Sequence, residues 1–585
     1  MDFSLYYRKN KNDELFKALE NSSLGLDNLQ NYVPLYEKFF SLNDTNFNSI
    51  NLNQKYYLHT LDEELNKNVI KASVADNSNN ILKRDVFCKF SPLLDPLKYL
   101  TGKYDISSNN MLPLPQYNEQ TLFPKLHDKN NTAYIDSFFT YLSSQLLHNY
   151  DFLNSIDYYG SFLGNQQQFQ YNIVDDLDYL NESDFFHKNK NEYYSIDNEE
   201  HDTIFNIDSR TNKKKLVING ELTDLTLDSF KSDDFSLFTS VEKDGVTDNN
   251  IQIVDLSEVC IYDQPLNKSK NSSSVSSSST YSSKSSNTSI DELSGDDNDS
   301  GTGSDSGSGT DECCGSDDDT STSSSSCEEE EDIFCSIFDF PVQMITMEKC
   351  ENTLDYLMEK DLLHDKEWTS CLFQIIVTLS LFQKTFSFTH NDLHTNNIMY
   401  VPTEKQFLYY SLNDITYKVP TYGKIYKIID FGRSIYKFNG QTMCSDSFHP
   451  KGDAASQYNC EPYLDNNKPR LEPNPSFDLC RLACCLYDHF VEDVFDAELV
   501  FKKNKLAKMI ASWLMDDKDR NILYKTTGEE RYPEFKLYKM IARTIHKAIP
   551  HEQLTNEVFK GYVIGKKKLN KNVKIMNLDK IPNLQ

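Results

Sequence analysis

Apolar residues recur at helical spacing in NTAYIDSFFTYLSSQLLHNYDFL, where Phe138, Leu142 and Leu146 share one side with Tyr141 and Gln145 close by. With Asn131 or Thr132 as cap, the pattern predicts one long amphipathic helix. Before it, RDVFCKFSPLLDP reads as a strand around Lys89 broken by Pro92, and after it SIDYYGSFLG reads as another strand. DFPVQMITMEKCENTLDYLM predicts a strand over 342–347 and then a helix capped by Asn352 or Thr353. In KEWTSCLFQIIVTLSLFQKTFSF, Leu372, Ile375, Ile376, Leu379 and Phe382 mark a mostly buried helix. NIMYV, FLYYS and KIYKIIDF are β-rich runs that form a small sheet. EPNPSFDLCRLACCLYDHF offers Asn474 as N-cap and Pro475 at the first helical position. KLAKMIASWLM and FKLYKMIARTIHKAI add helices, so the second half is expected to be mainly α.

Between 267 and 332 the patterning collapses into Ser, Asp and Glu, which cannot bury enough apolar surface to offset the entropy of ordering. This predicts a disordered insert, either a solvated spacer or a set of acceptors for acidophilic kinases. The stretch 166–266 alternates short apolar runs with Asn and Asp clusters and is expected to be a partly ordered insertion.

A length of 585 residues exceeds one ordinary core, and a core enlarged by insertions accounts for it. The 16 carboxylates of 289–332 make up more than half of the net −30, with no Lys or Arg among them. Global acidity argues against non-specific nucleic-acid binding. The start lacks the apolar core of a secretory signal, and no window approaches the roughly 20 apolar residues that span a bilayer. An intracellular protein with no membrane contact is expected. The 13 cysteines show no C-x-x-C ladder, so buried reduced thiols are expected rather than zinc.

FTHNDLHTNNIMYV crowds His390, Asp392, His394 and Asn397 into eight positions, and YKIIDFGRS follows with an Asp-Phe-Gly run at the end of a strand. By itself this is a polar loop and a turn. A strand carrying Lys, a long helix, two strands, a linker, a buried helix, an H-x-D-L-x-x-x-N loop, a strand pair and D-F-G is, however, the order of a protein-kinase domain. HNDLHTNNIMY with KIIDFGRSIY resembles the protein-kinase superfamily, and is most similar to the divergent serine/threonine kinases of giant DNA viruses. The resemblance covers about 89–489.

The resemblance implies an α+β, bilobal fold: a small β-rich N-lobe with a large insertion and a mainly α-helical C-lobe. Its domains run as an extension and N-lobe start over 1–80, N-lobe over 81–165, the insertions, an N-lobe strand and linker over 333–350, C-lobe over 351–560 and a basic tail over 561–585. Asp392 would be the catalytic base, and Asn397 and Asp430 would hold Mg²⁺ across the phosphates of ATP, since a hard cation takes oxygen ligands. Lys89 would be the catalytic Lys that pairs the phosphates with a helix carboxylate, for which Asp136 is the candidate. Met347, Glu348 and Cys350 fall where the adenine-binding linker lies. His390 and Asp478 would support the loop. His394, where Lys or Ala is usual, is either a weak phosphate contact or packing.

Two departures stand out. Residues 50–88 contain no Gly, so the glycine-rich cover of the phosphates is missing. Asn391 replaces the Arg of H-R-D, so activation by loop phosphorylation is not expected. Three functions remain open: a protein Ser/Thr kinase with a protein hydroxyl as acceptor, a pseudokinase scaffold, and a small-molecule kinase. A viral chain would place it in the host cytoplasm or the virion.

Overall fold

The computed structural model describes residues 3–104, 112–118, 123–196, 332–565 and 573–585, and it shows a mixed α+β fold. The disordered insert expected over 267–332, all but its last residue, and most of the insertion before it lie outside the described residues.

The first half is organised by one antiparallel sheet. Its strands are β1 (Leu26–Gln30), β2 (Tyr56–Asn66), β3 (Val69–Asp76), β4 (Ile81–Pro92), β5 (Tyr158–Asn172), β6 (Tyr194–Ile196) and β7 (Phe334–Glu348). The order is β1-β5-β7-β4-β3-β2, with β6 also pairing β7. The strand expected over 342–347 thus begins eight residues earlier, because β5 pairs with it along its whole length from Tyr158↔Met347 to Asn172↔Phe334. The sheet curls until its edges approach: Ser23, just before β1, donates its backbone N–H to Glu64 of β2 at 3.0 Å. Lys89 lies opposite Ile345 near the middle of the sheet.

Helix α1 (Thr132–Tyr150) starts at Asn131, whose side chain accepts from Ala133 N–H. It differs from the amphipathic expectation in being buried on all sides from Ala133 to Leu146. The sheet covers one side, where Tyr141 meets Tyr158, and the second half covers the other, where Phe139 packs on Phe382, Phe388 and Phe431.

In the second half helix outweighs strand, though much of the chain there is neither. Helix α2 (Asp365–Phe386) opens with a capping box between His364 and Glu367 and is almost wholly buried. The three β-rich runs form two sheets rather than one. β8 (Ile398–Pro402) pairs with β11 (Lys424–Ile428), while β9 (Phe407–Leu412) and β10 (Ile415–Pro420) form a separate hairpin. Helices α3 (Phe477–Phe490), α4 (Lys505–Trp513) and α5 (Phe535–Thr544) follow.

Helix α3 begins after Ser476, so neither Asn474 nor Pro475 takes the expected place. Asn474 Oδ1 accepts the N–H of Ser476 at 2.9 Å, just ahead of the helix, while its Nδ2 reaches the end of α5 and donates to Ala542 O at 3.2 Å and Ile545 O at 2.6 Å. The end of the chain, read as a basic tail, is docked from Met576 onward. Met576–Asn577 runs parallel to β9, and Leu578 and Ile581 are buried. Residues 566–572 lie outside the description. Among the described residues no helix is long and apolar enough to cross a membrane.

Candidate functional site

Strand β4 delivers Lys89 to two carboxylates at once. Its Nζ lies 2.7 Å from Asp136 Oδ2 on α1 and 2.8 Å from Asp430 Oδ1 after β11. Asp136 is buried, and its other oxygen accepts the N–H of Phe431 at 2.8 Å. One helix carboxylate thus ties the strand Lys to the backbone of the Asp-Phe-Gly run. Burial raises Asp136, and Lys89 only partly offsets this. Asp430 is different. Desolvation by the surrounding protein would raise it too, but Lys89 outweighs this and holds the carboxyl at about 2. Its side chain remains 46% exposed, so an ionised carboxylate faces outward from the cluster.

The loop between α2 and β8 is held from beneath by Asp478, on the first turn of α3. Fully buried, Asp478 accepts the backbone N–H of His390 and of Asn391, both at 2.9 Å. His390 Nε2 lies 2.9 Å from Ile429 O and so links the loop to the residue before Asp430. Asn391 adopts a left-handed backbone, φ 65°, which Asn tolerates better than most residues. Its buried amide donates to Arg433 O at 3.0 Å and accepts from Tyr458 at 2.8 Å, so the position usual for Arg serves here as a polar bolt.

Asp392 emerges from this loop beside basic and aromatic neighbours. Its Oδ1 accepts the hydroxyl of Tyr538 on α5 at 3.0 Å, and its Oδ2 lies 3.8 Å from Arg433, which is itself bound to Asp453 at 2.7 Å. Burial pushes Asp392 up, but the guanidinium charges around it, Arg433 foremost, outweigh it, and the carboxyl sits below its ordinary value. Asn397 Nδ2 donates to Asp392 O at 2.9 Å and lies 3.1 Å from His394 Nε2. Burial lowers His394, so it is the neutral ring that accepts there. In the structure His394 contacts Asn397, an arrangement outside the two uses considered for it.

Asn397 Oδ1 is left as that side chain's acceptor, and Asn397 O accepts the N–H of Ile429 at 3.0 Å, which sets Asn397 beside the residue preceding Asp430. A carboxylate and an amide oxygen suit Mg²⁺, which takes few protein ligands and completes its shell with phosphate and water. Among the described residues no group of three His, Cys, Asp or Glu forms a metal site without such help.

At the end of β7, Met347 is buried. The Glu348 side chain is turned inward, accepting from Lys427 Nζ at 2.7 Å and Asp157 N–H at 2.8 Å. The Glu348 N–H is also used, by Asp157 O at 2.9 Å. Cys350 is partly exposed, its thiol pushed up to about 12 chiefly by burial. β2 and β3 are joined through Lys67 and Asn68, with no glycine at the turn.

Sequence reasoning missed Arg433, Tyr538 and Lys427. Arg433 directly follows the Asp-Phe-Gly run and could have been singled out on that ground. Lys427 sits inside an apolar strand, where a charged residue signals a buried partner. Tyr538 carries no local signal.

No family model matches the chain. Over 94 residues it is 32% identical to a protein named probable kinase 098L of Invertebrate iridescent virus 3, covering 15% of this chain and 16% of that protein. Over 106 residues it is 26% identical to an uncharacterized protein, ZK177.2, of Caenorhabditis elegans, covering 17% of this chain and 36% of that protein. The chain thus matches well under half the length of either relative. The first of them hints at a kinase-like relation for this chain.

Proposed function

We propose that the chain is an ATP- and Mg²⁺-dependent phosphotransferase of bilobal, protein-kinase-like build, acting on protein Ser or Thr hydroxyls. The observation that carries this reading is Lys89 held between Asp136 and Asp430. Three segments far apart in sequence meet there, beside the loop that bears Asp392 and Asn397. In this reading Lys89 orients phosphate oxygens while Asp136 keeps it in place. Asp392 aims the acceptor hydroxyl and takes its proton, for which its ionised state is suited. Asp430 and Asn397 Oδ1 would hold Mg²⁺, which supplies neutralising charge to the phosphates when bound. Met347, Glu348 and Cys350 would border the adenine, with the inward side chain of Glu348 fixing the linker to Lys427. The relative named a probable kinase points the same way.

One observation favours a second reading, a nucleotide-binding scaffold without transfer: the Lys67–Asn68 connection offers no glycine backbone to close over phosphates. The test is purified protein with Mg²⁺ and γ-labelled ATP, offered generic protein acceptors and itself, beside Asp392→Asn and Asp430→Ala. Label transfer by the wild type, reduced about 100-fold or more in both variants, is expected. Equal turnover in the variants overturns the site, and ATP binding without transfer leaves the scaffold.

A further inference from the structure

The hydroxyl of Tyr538 makes the hydrogen bond to Asp392 that, in the phosphotransferase reading, an acceptor hydroxyl would make. It donates to Asp392 Oδ1 at 3.0 Å and accepts from Arg481 Nε at 2.9 Å, while the other oxygen of Asp392 faces Arg433. A base whose task is to receive a hydroxyl therefore already holds one from its own chain. The ring stacks with Phe535 of the same helix, while Phe477 lies against it and the guanidinium of Arg481 sits 5.2 Å from its centroid.

Helix α5, which carries Tyr538, is anchored unequally. Its C-terminal end is gripped by Asn474 and by Arg543, whose guanidinium donates to Ser456 O at 2.7 Å. Its N-terminal end follows Glu534, which has φ 51° and makes no side-chain cap, and the flanking Pro533 and Lys536 are exposed. A small tilt about the gripped end would lift Tyr538 away from Asp392 and leave the rest of the site in place.

We propose that Tyr538 is an internal mimic of the acceptor, which an incoming protein hydroxyl must displace, so that α5 sets which acceptors reach Asp392. This rests on the phosphotransferase reading above. Tyr538→Phe keeps the ring and its packing and removes only the competing hydroxyl. With casein as acceptor and saturating Mg²⁺ and ATP, the KM for casein should fall about three- to tenfold in the variant, without loss of kcat, as expected for removing one competing hydrogen bond. A lowered kcat with unchanged KM overturns the proposal and makes Tyr538 a support of the base.

A second readout needs no turnover. Modification of Asp392 by a water-soluble carbodiimide, followed by mass spectrometry, should rise at least about threefold in Tyr538→Phe, and unchanged modification overturns the proposal. If neither protein transfers phosphate, the phosphotransferase reading fails and the modification result still decides whether Tyr538 shields Asp392.

Discussion

Lys89 and Asp136 meet at 2.7 Å across 47 residues of sequence, and this pair joins the sheet to helix α1. Asp136 is buried, so losing its cation strands a charge. Lys89→Met should therefore cost about 3 kcal/mol in stability, read as a lower midpoint in urea denaturation. Adding Asp136→Leu should restore part of the loss, because the stranded carboxylate is then gone. Additive losses in the double variant would show that the two side chains do not act as a pair.

The pairings that sequence could anticipate are those marked by a local pattern or by the kinase-like order of elements, which also points to Lys89 with Asp136 and to Asp478 beneath the loop. Asp392 and Asn397 are five positions apart on one loop, so their proximity follows from short-range geometry, and the pairing of β8 with β11 brings Asp430 to them. Tyr538 reaches Asp392 from 146 residues away, and nothing in its own neighbourhood marks it. Helix α1 was misread in degree for a different reason. Its polar residues look solvent-facing, yet Ser137 donates to Ser161, Thr140 to Asp136 O and Ser144 to Asp157, so small hydroxyls are satisfied inside the protein. Asn474 shows the same limit: its oxygen serves the chain just before α3, but its amide also holds the carbonyl end of another helix, which no local pattern marks.

The neutral ring of His394 fixes the amide of Asn397 by accepting from its Nδ2 at 3.1 Å. His394→Asn keeps an acceptor in reach, whereas His394→Leu leaves the Asn397 amide held only by its bond to Asp392 O. Calorimetric affinity for Mg²⁺ and ATP together should fall about threefold to tenfold in the Leu variant and less in the Asn variant. Equal losses in both would mean that ring packing matters and the hydrogen bond does not.

Asp516 anchors the turn beside the end of α5, since the next residue, Asp517, donates its N–H to Thr544 O at 2.9 Å. The Asp516 carboxylate accepts from Lys518 N–H at 2.9 Å, Arg520 N–H at 2.8 Å and Arg520 Nε at 2.9 Å. Burial raises it, but these donors outweigh burial and hold it below its ordinary 3.8. A depressed carboxyl stabilises the fold above the unfolded value, and that stabilisation is lost as pH falls through the folded value. Asp516→Asn should thus lower the melting temperature at pH 7 by an amount equivalent to about 1 kcal/mol, and the gap should close as the pH drops below about 4. A gap that stays constant down to pH 2 would assign the effect to shape, not charge.

The ends of the long insertion lie side by side in the sheet. Asn172 pairs with Phe334, the Ile173 N–H donates to Ile333 O at 2.9 Å, and Ile196 of β6 sits opposite Cys335 of β7. The sheet therefore closes across this point through residues on either side of 197–331. Replacing 197–331 by a short Gly-Ser linker only has to bridge the adjacent ends of β6 and β7, and a short flexible connection costs little closure entropy. The shortened chain should keep its melting temperature within a few degrees and, if the full chain transfers phosphate, keep that activity. Failure to fold would show that the replaced segment supplies contacts the sheet needs. Intact folding with lost transfer would place the segment in acceptor recognition.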